Sequence, residues 1–343
     1  MLDETPEALI KSRQRSYDRR RNLRPMTSGE MIDLALRIYR SIARPVLAAS
    51  LPSMLLAGAG IMFLTSFVFP RIAPSGNVDK VHYTEGAFGI VVTLFIVIPL
   101  LMLAISYVAA LTVPTTSGIV MGTETDMRNV KLNAPAASMR IFRVMLSGFI
   151  RSTGILVASL VLFLLAAVGR GSSGGTLGII GTASGFVTLF AGLIATPIAA
   201  YRLSLTPPVA LLESESPKTA FDRSVSLVKP YKHIPSLLES QIGLGLILLA
   251  GMFFILVGVS TVFAMIPLEP FFRSQVWMGP WADIVIGVLD AIPLLLTIWL
   301  LAPLWTIGVT VMYYDRRSRL EAFDIAVLAD DVLKVNRTNR PVA

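Results

Sequence analysis

Apolar residues in this chain come in long, nearly unbroken runs separated by short polar stretches. Six runs stand out: Val46 to Phe69, Gly86 to Leu111, Ser152 to Val168, Leu177 to Ala200, Gln241 to Pro267 and Ile284 to Met312. A hydrocarbon core of about 30 Å takes roughly 20 residues of helix, and a helix satisfies its own backbone groups there. The runs therefore predict an all-α polytopic membrane protein with six transmembrane helices. The third run is the shortest; starting it at Met145 would draw Arg151 to the interface, where a long basic side chain keeps its head in water.

A second pattern precedes the odd-numbered runs. Ile32, Ala35, Ile38, Tyr39 and Ile42 fall on one helical stripe, with Glu30, Asp33, Arg37, Arg40 and Arg44 largely away from it. This predicts an amphipathic helix lying in the membrane interface. Ser28 is the expected N-cap and Pro45 the turn into span one. The corresponding helix before span five is expected to start near Ser216-Pro-Lys-Thr219, to contain Phe221-Asp-Arg-Ser224 and to stop near Pro230.

Amphipathic helix plus two spans recurs three times. Pro114, Pro208 and Pro303 are spaced by 94 and 95 residues, in Leu111-Thr-Val-Pro114, Leu205-Thr-Pro-Pro208 and Leu300-Leu-Ala-Pro303, and Tyr107 and Tyr201 stand at one offset from the first two. Upstream, Leu36-Arg-Ile-Tyr-Arg40 matches Met139-Arg-Ile-Phe-Arg143, and Val225-Ser-Leu-Val-Lys229 keeps the same apolar and basic positions. First and third copies differ by 189 residues at both markers; the middle copy is offset by 103 at the helix and 94 at the proline, a difference a shorter outer loop absorbs. The expected division is a basic tail (1–24), three membrane repeats (25–121, 122–215 and 216–326) and a second tail (327–343). Two spans per copy make the repeats parallel, unlike the inverted repeats of many secondary transporters.

Charge orients the spans. Residues 1–45 carry ten Lys or Arg, 112–143 four, 201–240 five and the tail after Met312 six; the alternate connections carry Arg71 and Lys80, Arg170, and Arg273. Cytoplasmic loops hold the excess of Lys and Arg, so both termini are expected in the cytoplasm. Trp277 and Trp281 fit an outer aromatic belt, Tyr313 and Tyr314 an inner one. With 54% hydrophobic and 15% charged residues the chain is too apolar for a soluble globule. Its net charge of +8 follows the cytoplasmic side without any nucleic-acid motif, which points to anionic lipid as partner and not to nucleic acid. No cysteine is present, so there is no thiolate nucleophile or Cys-based metal site, and His82 and His233 lie too far apart to suggest a metal pair.

Three segments carry a family resemblance: Pro208-Val-Ala-Leu-Leu-Glu213, Ala220-Phe-Asp-Arg-Ser-Val-Ser-Leu-Val228 and the ending Tyr313-Tyr-Asp-Arg-Arg-Ser-Arg-Leu-Glu-Ala-Phe-Asp324, with Arg24-Pro-Met-Thr-Ser-Gly-Glu30 at the opening. Over about residues 24–326 the chain resembles the glycerophosphoryl diester phosphodiesterase membrane-domain family. The resemblance implies a six-helix bacterial integral membrane domain, found alone or beside catalytic domains, in the inner membrane, with no settled activity of its own. The soluble barrel with paired histidines and metal-binding carboxylates that the chemistry would need has no counterpart here. Where the family often places Gly between Glu and Phe in its ending, this chain has Ala322.

Chemistry-bearing residues gather in few places. Tyr314, Asp315, Arg316, Arg317, Arg319, Glu321 and Asp324 stand where span six ends, and Asp315 with Arg319 and Arg317 with Glu321 are helical i,i+4 pairs. They form either a surface for a partner or lipid phosphate or an interfacial anchor required by the positive-inside rule. Asp290, three residues before Pro293, is either an intramembrane polar site on an ion path or a group near the outer headgroups. Glu213 and Glu215 can pair with Lys218 and Arg223 across their connection or form a solvated face. Gly171-Ser-Ser-Gly-Gly175 lacks the lysine and strand-to-helix setting of a phosphate loop and reads as an outer turn, so no cofactor is expected. Gly58-Ala-Gly60 and Gly243-Leu-Gly245 read as sites of close helix packing.

With no catalytic set, these features favour a noncatalytic membrane scaffold or accessory subunit that binds a protein or lipid at its cytoplasmic face. The alternative is a transporter or channel for a small solute or lipid, resting on the repeats, the prolines and Asp290; a membrane-embedded hydrolase lacks paired carboxylates, a His/Ser arrangement and metal ligands. The orientation is testable because the chain has no native cysteine. A Ser172→Cys variant should react with an impermeant thiol reagent from the outer side of sealed vesicles; labelling from the cytoplasmic side would invert the topology.

Overall fold

In the computed structural model every described element is a helix. It describes residues 23–63, 97–123, 125–172, parts of 184–198, 201–213, 216–229, 237–265, 281–323, 325 and 329, and no strand occurs among them. The helices are α1 Ser28–Phe63, α2 Ile98–Met121, α3 Met127–Ser172, α4 Thr206–Leu212, α5 Pro217–Val228, α6 Leu237–Met265 and α7 Trp281–Glu321. Four stretches, Ser28–Gly60, Ile98–Met121, Gln241–Thr261 and Ile292–Glu321, are long and apolar enough to cross a membrane. They correspond to predicted spans one, two, five and six. Most of span four, the start of span two from Gly86 to Ile96, the loop holding Trp277, and His82 and His233 lie outside the described residues.

Local signals account for most helix ends. Thr27, one residue before the expected Ser28, caps α1: its Oγ1 accepts from the Glu30 N–H at 3.3 Å while the Glu30 carboxylate accepts from the Thr27 N–H at 2.9 Å. This is the reciprocal box of Thr/Ser with a glutamate three residues on. Ser216 caps α5 by accepting from the Thr219 N–H at 3.3 Å, with Pro217 in the first turn. That helix stops at Val228 because Lys229, at ψ 136°, is held extended by the following Pro230. Gly122, at φ 64°, closes α2, and the N–H groups of Gly122 and Thr123 bond the Ile119 and Gly118 carbonyls at 3.2 and 2.8 Å. Ala322 takes the same role after α7 at φ 50°, in the left-handed region that favours glycine.

The amphipathic segments do not lie flat. α1 stays helical through Pro45 and Pro52, and α3 runs unbroken from Met127 through Pro135 into predicted span three. A proline removes one hydrogen bond and bends a helix, but it does not turn it by the right angle that lying flat and then crossing would require. Packing outweighs the proline signal: Ala35, Ile38, Ile42 and Val46 are buried on one side of α1 across Pro45. The predicted stripe thus faces protein, and Asp33, Arg37, Arg40 and Arg44 face outward. α5 is a separate amphipathic helix, yet its buried Ala220, Phe221, Leu227 and Val228 join the same core as α1 and α7.

α7 is the hub. α1 runs antiparallel to it: the Met26 N–H meets Asp315, the Tyr39 hydroxyl donates to the Leu300 carbonyl at 3.0 Å, and Gly58 faces Leu295. α2 runs parallel to α7, with Thr112 and Thr306 hydroxyls at 2.7 Å and Ser117 and Tyr314 hydroxyls at 2.6 Å. Trp299 Nε1 donates to Ser50 Oγ at 3.1 Å. Where the driving force of apolar burial is weak, such hydroxyl links and close approaches hold helices together. Within α2 itself, Thr115 Oγ1 bonds back to the Leu111 carbonyl at 2.7 Å, next to the Ala110 carbonyl that Pro114 leaves without its helical donor. Close approaches fall at Gly58, Gly60 and Gly243, as the sequence suggested, where a Cβ would lie 2.9, 3.3 and 3.1 Å from Leu295, Val97 and Ile32; Gly245, expected to pack closely as well, faces open space because nothing lies within 4 Å of it.

At Gly308 a Cβ would stand 2.3 Å from Leu244 Cδ2, and Leu244 is itself buried. Gly308→Ala should therefore lower stability in detergent unfolding by about 1–3 kcal/mol, whereas Gly258→Ala, with nothing within 4 Å, should not. Ala322→Gly should act in the opposite sense and raise stability by about 0.5–1 kcal/mol, the left-handed penalty less the entropy of glycine.

Candidate functional site

The basic end of the bundle, where α7 stops, gathers Glu213, Arg223, Tyr314, Asp315, Arg316, Arg317, Arg319 and Glu321 of the ionisable residues singled out in the sequence. Their spacing follows from helix geometry: residues four apart share a face, so Asp315 and Arg319 pair at 2.8 Å and Arg317 and Glu321 at 3.0 Å. Both pairs continue into other parts of the chain, and this is where the fold adds what spacing alone cannot.

Asp315 is buried. Its Oδ2 accepts from Arg319 Nε, and its Oδ1 accepts from the Met26 backbone N–H at 2.8 Å. Arg319 also donates to the Met26 carbonyl, and Ser318 Oγ to the Leu23 carbonyl at 2.7 Å. The segment Leu23–Met26 is thereby fixed along the last turn of α7, with the Leu23 and Met26 side chains in the core.

Glu213, the residue that closes α4, centres the second cluster. Its Oε1 accepts from the Tyr313 hydroxyl at 2.7 Å and its Oε2 from Arg223 Nε at 2.9 Å. Arg223 reaches on to Glu321, Glu321 accepts from Arg317 Nε, and Arg317 Nη1 donates to the Tyr313 hydroxyl at 3.1 Å, closing a ring of five side chains. The Arg317 guanidinium also lies over the Phe323 ring, 4.1 Å from its centroid. Partial burial works against the charge of Arg223, but hydrogen bonds and charges from Glu213 and Glu321 outweigh it and hold its pKa above the ordinary guanidinium value. Two arginines and two glutamates balance, so this ring carries no surplus charge toward a ligand.

The remaining candidates divide. Tyr314 is buried against Ser117 and Phe323, and Tyr313 is buried beside it with ring centroids 5.2 Å apart. The inner aromatic belt expected of these two tyrosines is therefore a packed protein interior. Arg316 is 1% exposed. Lys218 is exposed on α5 and apart from the ring. Asp290 belongs to the first part of α7, with its side chain outside what is described, and Asp324 and Glu215 also lie outside the described residues. Sequence reasoning singled out Glu213 and Arg223 as a possible pair but took Tyr313 only as an interface anchor and missed Leu23–Met26; backbone atoms of an irregular segment leave no residue-type signal. Among the described residues no three His, Asp or Glu side chains gather as metal ligands. Comparison with protein-family models, curated proteins and solved structures yields no match.

The cluster should matter to stability in proportion to its burial. Glu213→Ala leaves Tyr313 and Arg223 without their acceptor and should cost about 1–3 kcal/mol in detergent unfolding. Asp33→Ala, which removes a pair to Arg37 whose side chains are 70% and 58% exposed, should cost less than about 0.5 kcal/mol.

Proposed function

We infer that this chain is a noncatalytic integral membrane scaffold or accessory subunit, with six spans, both termini on the cytoplasmic side of a bacterial inner membrane, and a protein or anionic-lipid partner at that face. The observation that carries the reading is the closed ring around Glu213, whose five polar side chains are occupied by one another. A site that turned over a substrate would present convergent groups to it. Here the convergent groups bind chain segments together.

Topology supports six crossings. α3 is antiparallel to α2, with Ser106 against Met145 and Thr115 against Met127, while α6 is antiparallel to α7, with Leu244 against Gly308 and Leu301 against Gly251. Since α2 and α7 are parallel, α3 and α6 point the same way, which is the arrangement expected if the fourth predicted span returns the chain between them. The threefold repeat is supported by burial. Met31, Ala134 and Ala220, then Ala35, Ser138 and Ser224, then Ile38, Ile141 and Leu227 are equivalent by the 103 and 189 offsets, and all nine are buried. The resemblance to the glycerophosphoryl diester phosphodiesterase membrane-domain family belongs to the same proposal; it carries the bacterial assignment.

Gentle affinity purification of the tagged full chain from native membranes, followed by mass spectrometry of proteins and retained lipids, tests the reading. A stoichiometric protein, or an anionic lipid retained through washing, is expected. Reproducible recovery of the chain alone would overturn it and favour a flux function.

A further inference from the structure

α3 is 46 residues long, about 69 Å at 1.5 Å per residue. The hydrocarbon core takes roughly 20 of these residues, which the stretch after Arg151 supplies. The part before Arg151 is helix that no bilayer can cover. Leu132, nineteen residues before Arg151, stands about 29 Å further along the axis, or about 22 Å from the boundary if the helix tilts by 40°. That is beyond a headgroup layer of roughly 7 Å and a Debye length of about 8 Å.

One side of this projecting segment packs on the rest of the chain through Ala134, Ser138, Ile141 and Val144. The other side is a stripe with a mixed character. Arg128, Leu132, Ala136, Met139 and Arg143, at i, i+4, i+8, i+11 and i+15, are all exposed, Leu132 at 71% and Met139 at 42%, and Lys131 and Arg140 flank them. None of these four basic side chains has an ion pair among the described residues. The charge is one-signed by sequence as well: from Met127 to Leu212 there is no Asp or Glu. An apolar centre between cations, on a rigid helix held away from lipid, fits one kind of occupant.

We propose that this face of α3 is a docking surface for a partner protein, which presents an apolar segment flanked by Asp or Glu. Leu132 and Met139, two turns apart, supply the apolar anchors, and Arg128 and Arg143 at the ends supply bidentate donors for carboxylates. The proposal rests on the accessory reading given above and names the chemistry of its partner. Anionic lipid is disfavoured by distance at Leu132, Lys131 and Arg128, the part of the surface that stands furthest from the headgroups.

A photo-crosslinking amino acid placed at Leu132 of the full chain, irradiated in native membranes, tests it. The expected product is an adduct to one protein, mapped by mass spectrometry to an apolar peptide bordered by Asp or Glu. Arg128→Glu with Arg143→Glu should reduce that adduct at least tenfold, while Lys218→Glu on α5 should leave it unchanged. Adducts to phospholipid, to this chain itself or to many unrelated proteins would overturn the proposal, as would no adduct or one indifferent to the charge reversal. Affinity purification of the Arg128→Glu, Arg143→Glu variant separates the two readings: a partner retained there without the Leu132 adduct removes this surface and keeps the accessory role.

Discussion

A helix carries its own hydrogen bonds wherever it goes, so nothing in the backbone obliges it to stop at the edge of a bilayer. In this chain α1, α3 and α7 run for 36, 46 and 41 residues, about 54, 69 and 62 Å against a hydrocarbon core of roughly 30 Å. The main core sits at the end of the bundle where α7 stops. Leu23, Met31, Ile38, Phe221, Leu227 and Tyr313 belong to one cluster, while the opposite end offers Leu51, Leu55 and much of α6 to its surroundings. Burial is greatest where α1, α5 and α7 meet and least along α6.

Two kinds of adhesive divide along the same axis. Toward the middle of the bundle, single hydroxyls and an indole link helices: Thr112 to Thr306, Tyr39 to Leu300, Trp299 to Ser50. Each is neutral and costs little to bury once bonded. At the projecting end the links are charged: Asp315 holds the irregular segment at Met26, and the ring around Glu213 joins the short helices α4 and α5 to α7. A carboxylate suits that task because it accepts from several donors at once.

Much of this was legible in the chain because the relevant signals are local. The apolar runs, the Ser216 cap, the stop before Pro230 and the i,i+4 pairs of α7 depend on residues close in sequence. What was not legible is tertiary. Pro45 has the sequence of a turn, yet burial of Ile42 and Val46 on either side carries the helix through it. The stripe of α1 is compatible with lipid or protein, and periodicity does not distinguish two apolar partners. Glu213 and Arg223 were visible as a potential pair; that Tyr313, a hundred residues on, turns the pair into a ring was not. Ala322 was visible as a departure from a glycine pattern, and its left-handed conformation explains why glycine suits that place.

The hold that Asp315 keeps on Met26 spans 289 residues. Ribosomes add about 5–20 residues per second, so the first helix waits about 15–60 s for the last. During that interval Ala35, Ile38 and Ile42 have no α7 to pack against, and the nearest apolar phase is the membrane surface itself. Until α7 is made, the stripe of α1 therefore lacks the most extensive of the surfaces that bury it in the finished fold.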